Sequence, residues 1–126
     1  MRKAILTLIA FGLTLPAVGA ASQQPDAAEW SAILPNHYLV YPDQQYGYVG
    51  NVSLKLDVWQ NQDSKSALPT VIYIHGGGWV FGDRMGAVPQ LLPYLEKGWN
   101  VVNVEYRMAS QALAPAAVED VRCALR

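Results

Sequence analysis

Between Thr70 and Trp79 the chain reads T-V-I-Y-I-H-G-G-G-W, and this stretch holds the residues best suited to chemistry. Gly76, Gly77 and Gly78 carry no Cβ, so their backbone reaches left-handed conformations and their N–H groups come close to a bound ligand. Such donors stabilise an anion. When the carbonyl of an ester or amide is attacked its oxygen becomes negative. Donors already aimed at that position lower the barrier, and losing one typically costs roughly 3 kcal/mol. A glycine triplet equally fits a flexible turn with no catalytic part. What favours the first reading is the setting, after an apolar run and His75 and before Trp79.

The elements around this loop follow from residue patterning. Val71 to Ile74 are β-branched or aromatic, which suits a parallel strand covered on both faces, with Pro69 marking its start. Residues 46 to 50 and 53 to 60 read as two strands joined at Gly50-Asn51, a dipeptide suited to a tight hairpin. In the second, Leu54, Leu56 and Val58 alternate with Lys55, Asp57 and Trp59, so one face is expected to be buried. Asn61 to Leu68 reads as a surface loop. A helix from about Met85 to Glu96, weakened by Pro89 and Pro93, is followed by Gly98 and a strand over Val101 to Glu105. Arg107 to Leu113 is a loop, and Pro115 opens a second helix in which Val118, Val121, Arg122 and Leu125 recur at helical spacing. Strand, glycine loop, helix, strand is the order an α/β sheet requires.

With the loop and its flanking elements in view, a family can be named. H-G-G-G-W after a hydrophobic strand resembles the oxyanion loop of the α/β-hydrolase esterases and lipases, in the hormone-sensitive-lipase-like and feruloyl-esterase-like branches. Leu54 to Trp59 (L-K-L-D-V-W), Gly82 to Arg84 (G-D-R), Val104 to Arg107 (V-E-Y-R) and Ala114 to Val121 (A-P-A-A-V-E-D-V) resemble further segments of that family at similar spacings. The resemblance covers about residues 45 to 126. It implies the N-terminal half of an α/β-hydrolase fold, truncated, with a mostly parallel sheet, crossover helices and an N-terminal antiparallel hairpin. It also implies that Gly77 and Gly78 face the oxyanion, that Gly76 permits the turn, and that His75 supports the loop through its ring nitrogens. Trp79 and Phe81 either wall an acyl pocket or pack beneath the loop. The strand ending at His75 is expected beside the strand that carries the nucleophile.

That family places its nucleophile in G-x-S-x-G, followed along the chain by Asp or Glu and then His. No such segment occurs here, and Ser22, Ser31, Ser53, Ser64, Ser66 and Ser110 lack the small flanking residues of a strained elbow. The triad is therefore expected beyond Arg126. His37 and His75 precede any nucleophile, and His37, in P-N-H-Y, reads as a surface or capping group. Asp83 and Asp120 read as loop and helix anchors. Cys123, the sole cysteine, allows no disulfide within the chain and reads as a buried apolar helix residue.

The 126 residues are 52% hydrophobic and 15% charged, a globular composition. Arg2 and Lys3 precede an apolar run from Ala4 to Leu15, then Pro16 and small residues, which reads as a secretory signal over residues 1 to 20. Pro16 interrupts the run short of the about 18 apolar residues a membrane span needs. Residues 21 to 44 read as an irregular lead, in which Trp30, Ile33 and Leu34 pack down. Without Arg2 and Lys3, seven basic residues face ten acidic ones, a net charge of −3, and nothing suggests nucleic-acid binding. The expectation is the oxyanion-hole half of a secreted or periplasmic serine hydrolase acting on small or polymer-linked carboxylic esters. No metal, cofactor or membrane partner is implied after signal cleavage. An amide hydrolase of arylformamidase type and a non-catalytic hydrolase-fold remnant are the alternatives.

Overall fold

A computed structural model describes Leu34 and residues 36 to 126. The expected signal, Trp30 and Ile33 lie outside the described residues. Six elements follow one another: β1 (Tyr38–Val49), β2 (Val52–Asn61), β3 (Thr70–Ile74), α1 (Val88–Leu95), β4 (Asn100–Val104) and α2 (Ala116–Ala124). The four strands form one sheet in the order β1-β2-β4-β3. β1 and β2 are an antiparallel hairpin turning at Gly50-Asn51, β2 pairs antiparallel with β4, and β3 runs parallel to β4 from Thr70↔Asn100 to Ile74↔Val104. Helix α1 makes the crossover between the two parallel strands, as a parallel pair demands.

The core forms where α1 lies on the sheet. Leu91 and Leu95, one helical turn apart, are buried with Val101 and Tyr38, and Leu34, Trp59, Tyr73, Leu92 and Tyr94 pack around them. The Tyr38 hydroxyl donates to the Leu95 carbonyl at 2.8 Å, with the Trp99 carbonyl also within 3.0 Å, which ties β1 to the end of α1. The N–H of Gly98 returns to the Leu95 carbonyl at 2.9 Å and closes the helix.

Several expectations need correction. β1 begins at Tyr38, inside the segment expected to be irregular, because register shifts at Tyr41/Gln44 and Gln45/Gly47 carry the strand past Pro42-Asp43. Helix α1 starts at Val88, not Met85, with Pro89 in its first turn. β2 does not bury a single face, since Asp57 is as buried as Leu56 and Trp59 reaches the core. β3 is not covered on both faces. It is the edge strand of the described sheet, with Ile72 and Ile74 exposed. In α2 the buried residues are Ala116 and Asp120, while Val118 and Leu125 are exposed, because the helix is anchored by an ion pair and not by its apolar stripe. Cys123 is exposed, its thiol 3.8 Å from the Tyr46 carbonyl.

Candidate active site

β3 ends at Ile74, and the chain leaves the C-terminal edge of a parallel pair through His75 and the glycines, the place where open α/β sheets bind ligands. Gly77 has φ 128° and Gly78 φ 60°. At Gly77 glycine is obligatory, since a Cβ there would stand 1.7 Å from the Phe81 carbonyl oxygen. Trp79 continues the left-handed run at φ 63°, a strained value for a bulky residue. Gly76 differs from its neighbours: it stays out of the left-handed region, and a Cβ on it would meet nothing within 4 Å. Its part is therefore not to permit the turn, as expected, but to supply a carbonyl.

The peptide planes that follow Gly76, Gly77 and Trp79 are fixed at their oxygens. His75 Nδ1 lies 2.9 Å from the Gly76 oxygen, the Val80 and Phe81 N–H groups donate to the Gly77 carbonyl at 3.1 and 3.2 Å, and the Ala109 N–H donates to the Trp79 carbonyl at 2.7 Å. A trans peptide is planar, with C=O and N–H pointing oppositely. Holding the Gly76 oxygen thus directs the Gly77 N–H the other way, and holding the Gly77 oxygen does the same for the Gly78 N–H. Among the described residues nothing accepts from either N–H. The loop has two oriented, unpaired donors, an arrangement suited to an anion.

His75 is buried at 5% exposure. Its ring stacks on Tyr106 with centroids 4.5 Å apart and planes 16° apart, and the Tyr106 hydroxyl donates to the His75 carbonyl at 2.8 Å. Burial pushes that phenol's pKa up. His75 Nε2 is 3.1 Å from Glu105 Oε1, and Glu105 Oε2 accepts the Arg84 backbone N–H at 2.9 Å. The Arg84 guanidinium reaches Asp57 and Asp43, while Asn103 Nδ2 donates to the Arg84 carbonyl at 2.7 Å. This accounts for the buried Asp57. The Arg84 hydrogen bond holds the Asp43 carboxyl below its ordinary range, with Lys55 adding to the effect. Gly82, at φ 97°, passes so close that a Cβ would lie 2.6 Å from the Gly76 oxygen.

A cavity of about 450 Å³ opens at the loop, lined by Ile74, His75, Gly78, Trp79, Tyr106 and Val118 among others. A second, of about 290 Å³, shares Gly78, Trp79 and Val118 and extends to Leu113 and Pro115. Their walls are mostly apolar. Trp79 thus walls both and does not pack beneath the loop. Phe81 lines neither cavity; though largely exposed, its carbonyl and ring edge lie against Gly77, so it packs on the loop and does not wall the pocket.

The other sequence candidates lie apart. Ser110 and Ser53 line a separate cavity of about 330 Å³. His37 is at the surface, with Nδ1 2.6 Å from Asp63 Oδ2. Asp83 accepts the Gly86 N–H at 2.6 Å, and Asp120 holds Arg107 by its backbone N–H and by both Nε and a terminal nitrogen, so both act as the anchors expected. Sequence reasoning gave no role to Glu105, Tyr106 or Arg84, although all three lie in segments it singled out, V-E-Y-R and G-D-R.

Comparison with known proteins shows the family of the chain. Residues 56 to 126 match the BD-FAE family. Esterase LipQ of Mycobacterium tuberculosis is 30% identical over 115 residues, covering 82% of this chain and 27% of LipQ. Kynurenine formamidase of Danio rerio is 37% identical over 68 residues, 54% of this chain and 23% of that enzyme. Among solved structures, esterase Est2 of Thermogutta terrifontis superposes with a TM-score of 0.59 at 26% identity, covering 66% of this chain and 31% of Est2. The chain spans about a quarter of the length of the curated relatives it matches. By its family match and its strand order, the chain belongs to the BD-FAE family and, with it, to the α/β-hydrolase esterases.

Proposed function

We propose that the protein is an exported serine hydrolase of carboxylic esters, for which this chain supplies the oxyanion hole. The observation that carries the reading is the pair of oriented, unpaired N–H groups at Gly77 and Gly78, beside an apolar cavity at the end of a parallel strand. In this scheme a serine attacks the ester carbonyl, the two N–H groups receive the developing negative charge, and His75 and Gly76 hold the loop. Trp79 contributes an apolar wall to the acyl or alcohol side of the site. The nucleophile, acid and base come from residues beyond Arg126, so residues 21 to 126 alone are inactive. The apolar run after Arg2 and Lys3 supports secretion or a periplasmic destination.

The likeness to a kynurenine formamidase favours one second reading, hydrolysis of an N-formyl aryl amide by the same loop. Both reactions pass through a tetrahedral oxyanion, so the loop serves either. The test is turnover of p-nitrophenyl acetate and butyrate against an N-formyl anilide by the full-length protein. Ester turnover that Gly77→Ala abolishes supports the proposal. Exclusive turnover of the anilide moves the protein to the amidases, and no turnover of either substrate sinks both readings.

A further inference from the structure

The ring that holds the Gly76 carbonyl is itself set from behind. Glu105 follows β4 directly and offers one carboxylate oxygen to His75 Nε2 at 3.1 Å and the other to the Arg84 N–H at 2.9 Å. His75 Nδ1 meets the Gly76 carbonyl at 2.9 Å. A carbonyl only accepts, so the Gly76 contact forms when Nδ1 carries a proton, and one further proton, on Nε2 or on the carboxyl, joins Nε2 to Glu105. The ring's remaining surroundings leave little room for another orientation. Tyr106 stacks on one face, and the Gly82 backbone lies at the Nδ1 edge. Of the other charged groups nearby, the Arg84 guanidinium is turned to Asp43 and Asp57, and Arg122 lines the cavity from α2.

We propose that Glu105 is a positioning residue for the oxyanion loop: by engaging His75 Nε2 it keeps the Nδ1 proton on the Gly76 carbonyl, which fixes the Gly76–Gly77 peptide plane and with it the direction of the Gly77 N–H. The inference rests on the ester-hydrolase reading, because an oxyanion is what that N–H would meet. It places the control of a catalytic donor on a side chain that need not touch substrate.

The test compares the full-length protein with Glu105→Ala and Glu105→Gln on p-nitrophenyl butyrate. Alanine removes the acceptor behind the ring, so kcat falls about 10- to 100-fold while KM stays within about twofold, the pattern of an interaction felt only in the transition state. Glutamine still accepts from Arg84 and presents an amide N–H to Nε2, so kcat recovers to within about fivefold of the wild type. In ¹H–¹⁵N spectra His75 Nδ1 bears a proton in the wild type and in Glu105→Gln. A folded Glu105→Ala protein with unchanged kcat overturns the proposal, as does a ring, in the wild type or in Glu105→Gln, whose Nδ1 bears no proton. If alanine prevents folding, the spectrum of the glutamine variant still decides. If the wild type turns over no ester, the hydrolase reading fails instead, and the ring spectrum alone judges whether Glu105 holds His75.

Discussion

The three glycines of the loop are chemically identical and structurally unequal, which makes single substitutions informative. Alanine at Gly77 would put its Cβ 1.7 Å from the Phe81 oxygen, so the loop must rearrange and the donor is lost; kcat is expected to fall by about 10²-fold or more. Gly78 has open space around its Cβ position but sits at φ 60°, so alanine there costs about 1 kcal/mol of backbone strain and leaves the loop in place. Gly76→Ala meets neither obstacle, and both activity and melting temperature should stay near wild type. Measuring kcat and melting temperature for the three variants ranks them, and equal losses at Gly76 and Gly77 would contradict the geometry. That ordering was not legible in G-G-G itself. The triplet announces a turn and a close approach, but which glycine is obligatory depends on Phe81 folding back over the loop. Nor was the pairing of His75 with Glu105 legible, since the two stand 30 residues apart in sequence and meet only because β3 and β4 lie side by side in parallel register.

The elements were the more readable layer. Strand β3, the glycine turn, helix α1 and strand β4 follow from apolar runs and breakers, because β-branched runs and a crossover helix have local signatures. The start of β1 was hidden by Pro42-Asp43, an irregularity inside the strand, with Asp43 at φ 57°, which broke any sustained period in residues 38 to 44. The inward Asp57 broke the expected alternation because its partner, Arg84, arrives from another part of the chain. Helix α1 depends on two leucines: truncating the fully buried Leu91 to alanine should cost about 3 kcal/mol, read as a lower urea midpoint of the full-length protein. A midpoint unchanged by Leu91→Ala would mean that α1 is not the lid of this core. Strand β3 carries the opposite liability. It leaves one side of its backbone unpaired in the described sheet, with Ile72 and Ile74 exposed, which invites edge-to-edge association. Residues 21 to 126 produced alone are expected to be poorly soluble, and a soluble monomer with cooperative thermal unfolding would refute that.

Across the molecule, three phenols tie side chains to backbone carbonyls: Tyr38 at Leu95, Tyr46 at Glu105 and Tyr106 at His75. Burial raises the pKa of each above its ordinary value of 10.0, and negative neighbours add to the rise at Tyr46 and Tyr106. A raised folded pKa means that the unfolded chain releases these protons first. Their contribution to stability is thus complete below about pH 10 and is lost as pH rises through the folded values. The expected outcome is a stability that declines in alkali. Tyr38→Phe and Tyr106→Phe should each make that decline shallower, and unfolding curves at pH 8 and 11 check it. At the acid end Asp43 has the opposite sign, its depressed pKa giving a contribution present above about 3.8 and lost as pH falls through the lower folded value. The strand order also dictates a sequence of events in time. Because β4 is the only described strand that pairs with β3, and because it also joins β2, nothing can knit the hairpin to β3 until Asn100 to Val104 have been synthesised. Among the described strands, β3 and its glycine loop therefore have no partner until about 30 further residues have followed Ile74. The order of synthesis thus lets the described sheet close only when its central strand arrives.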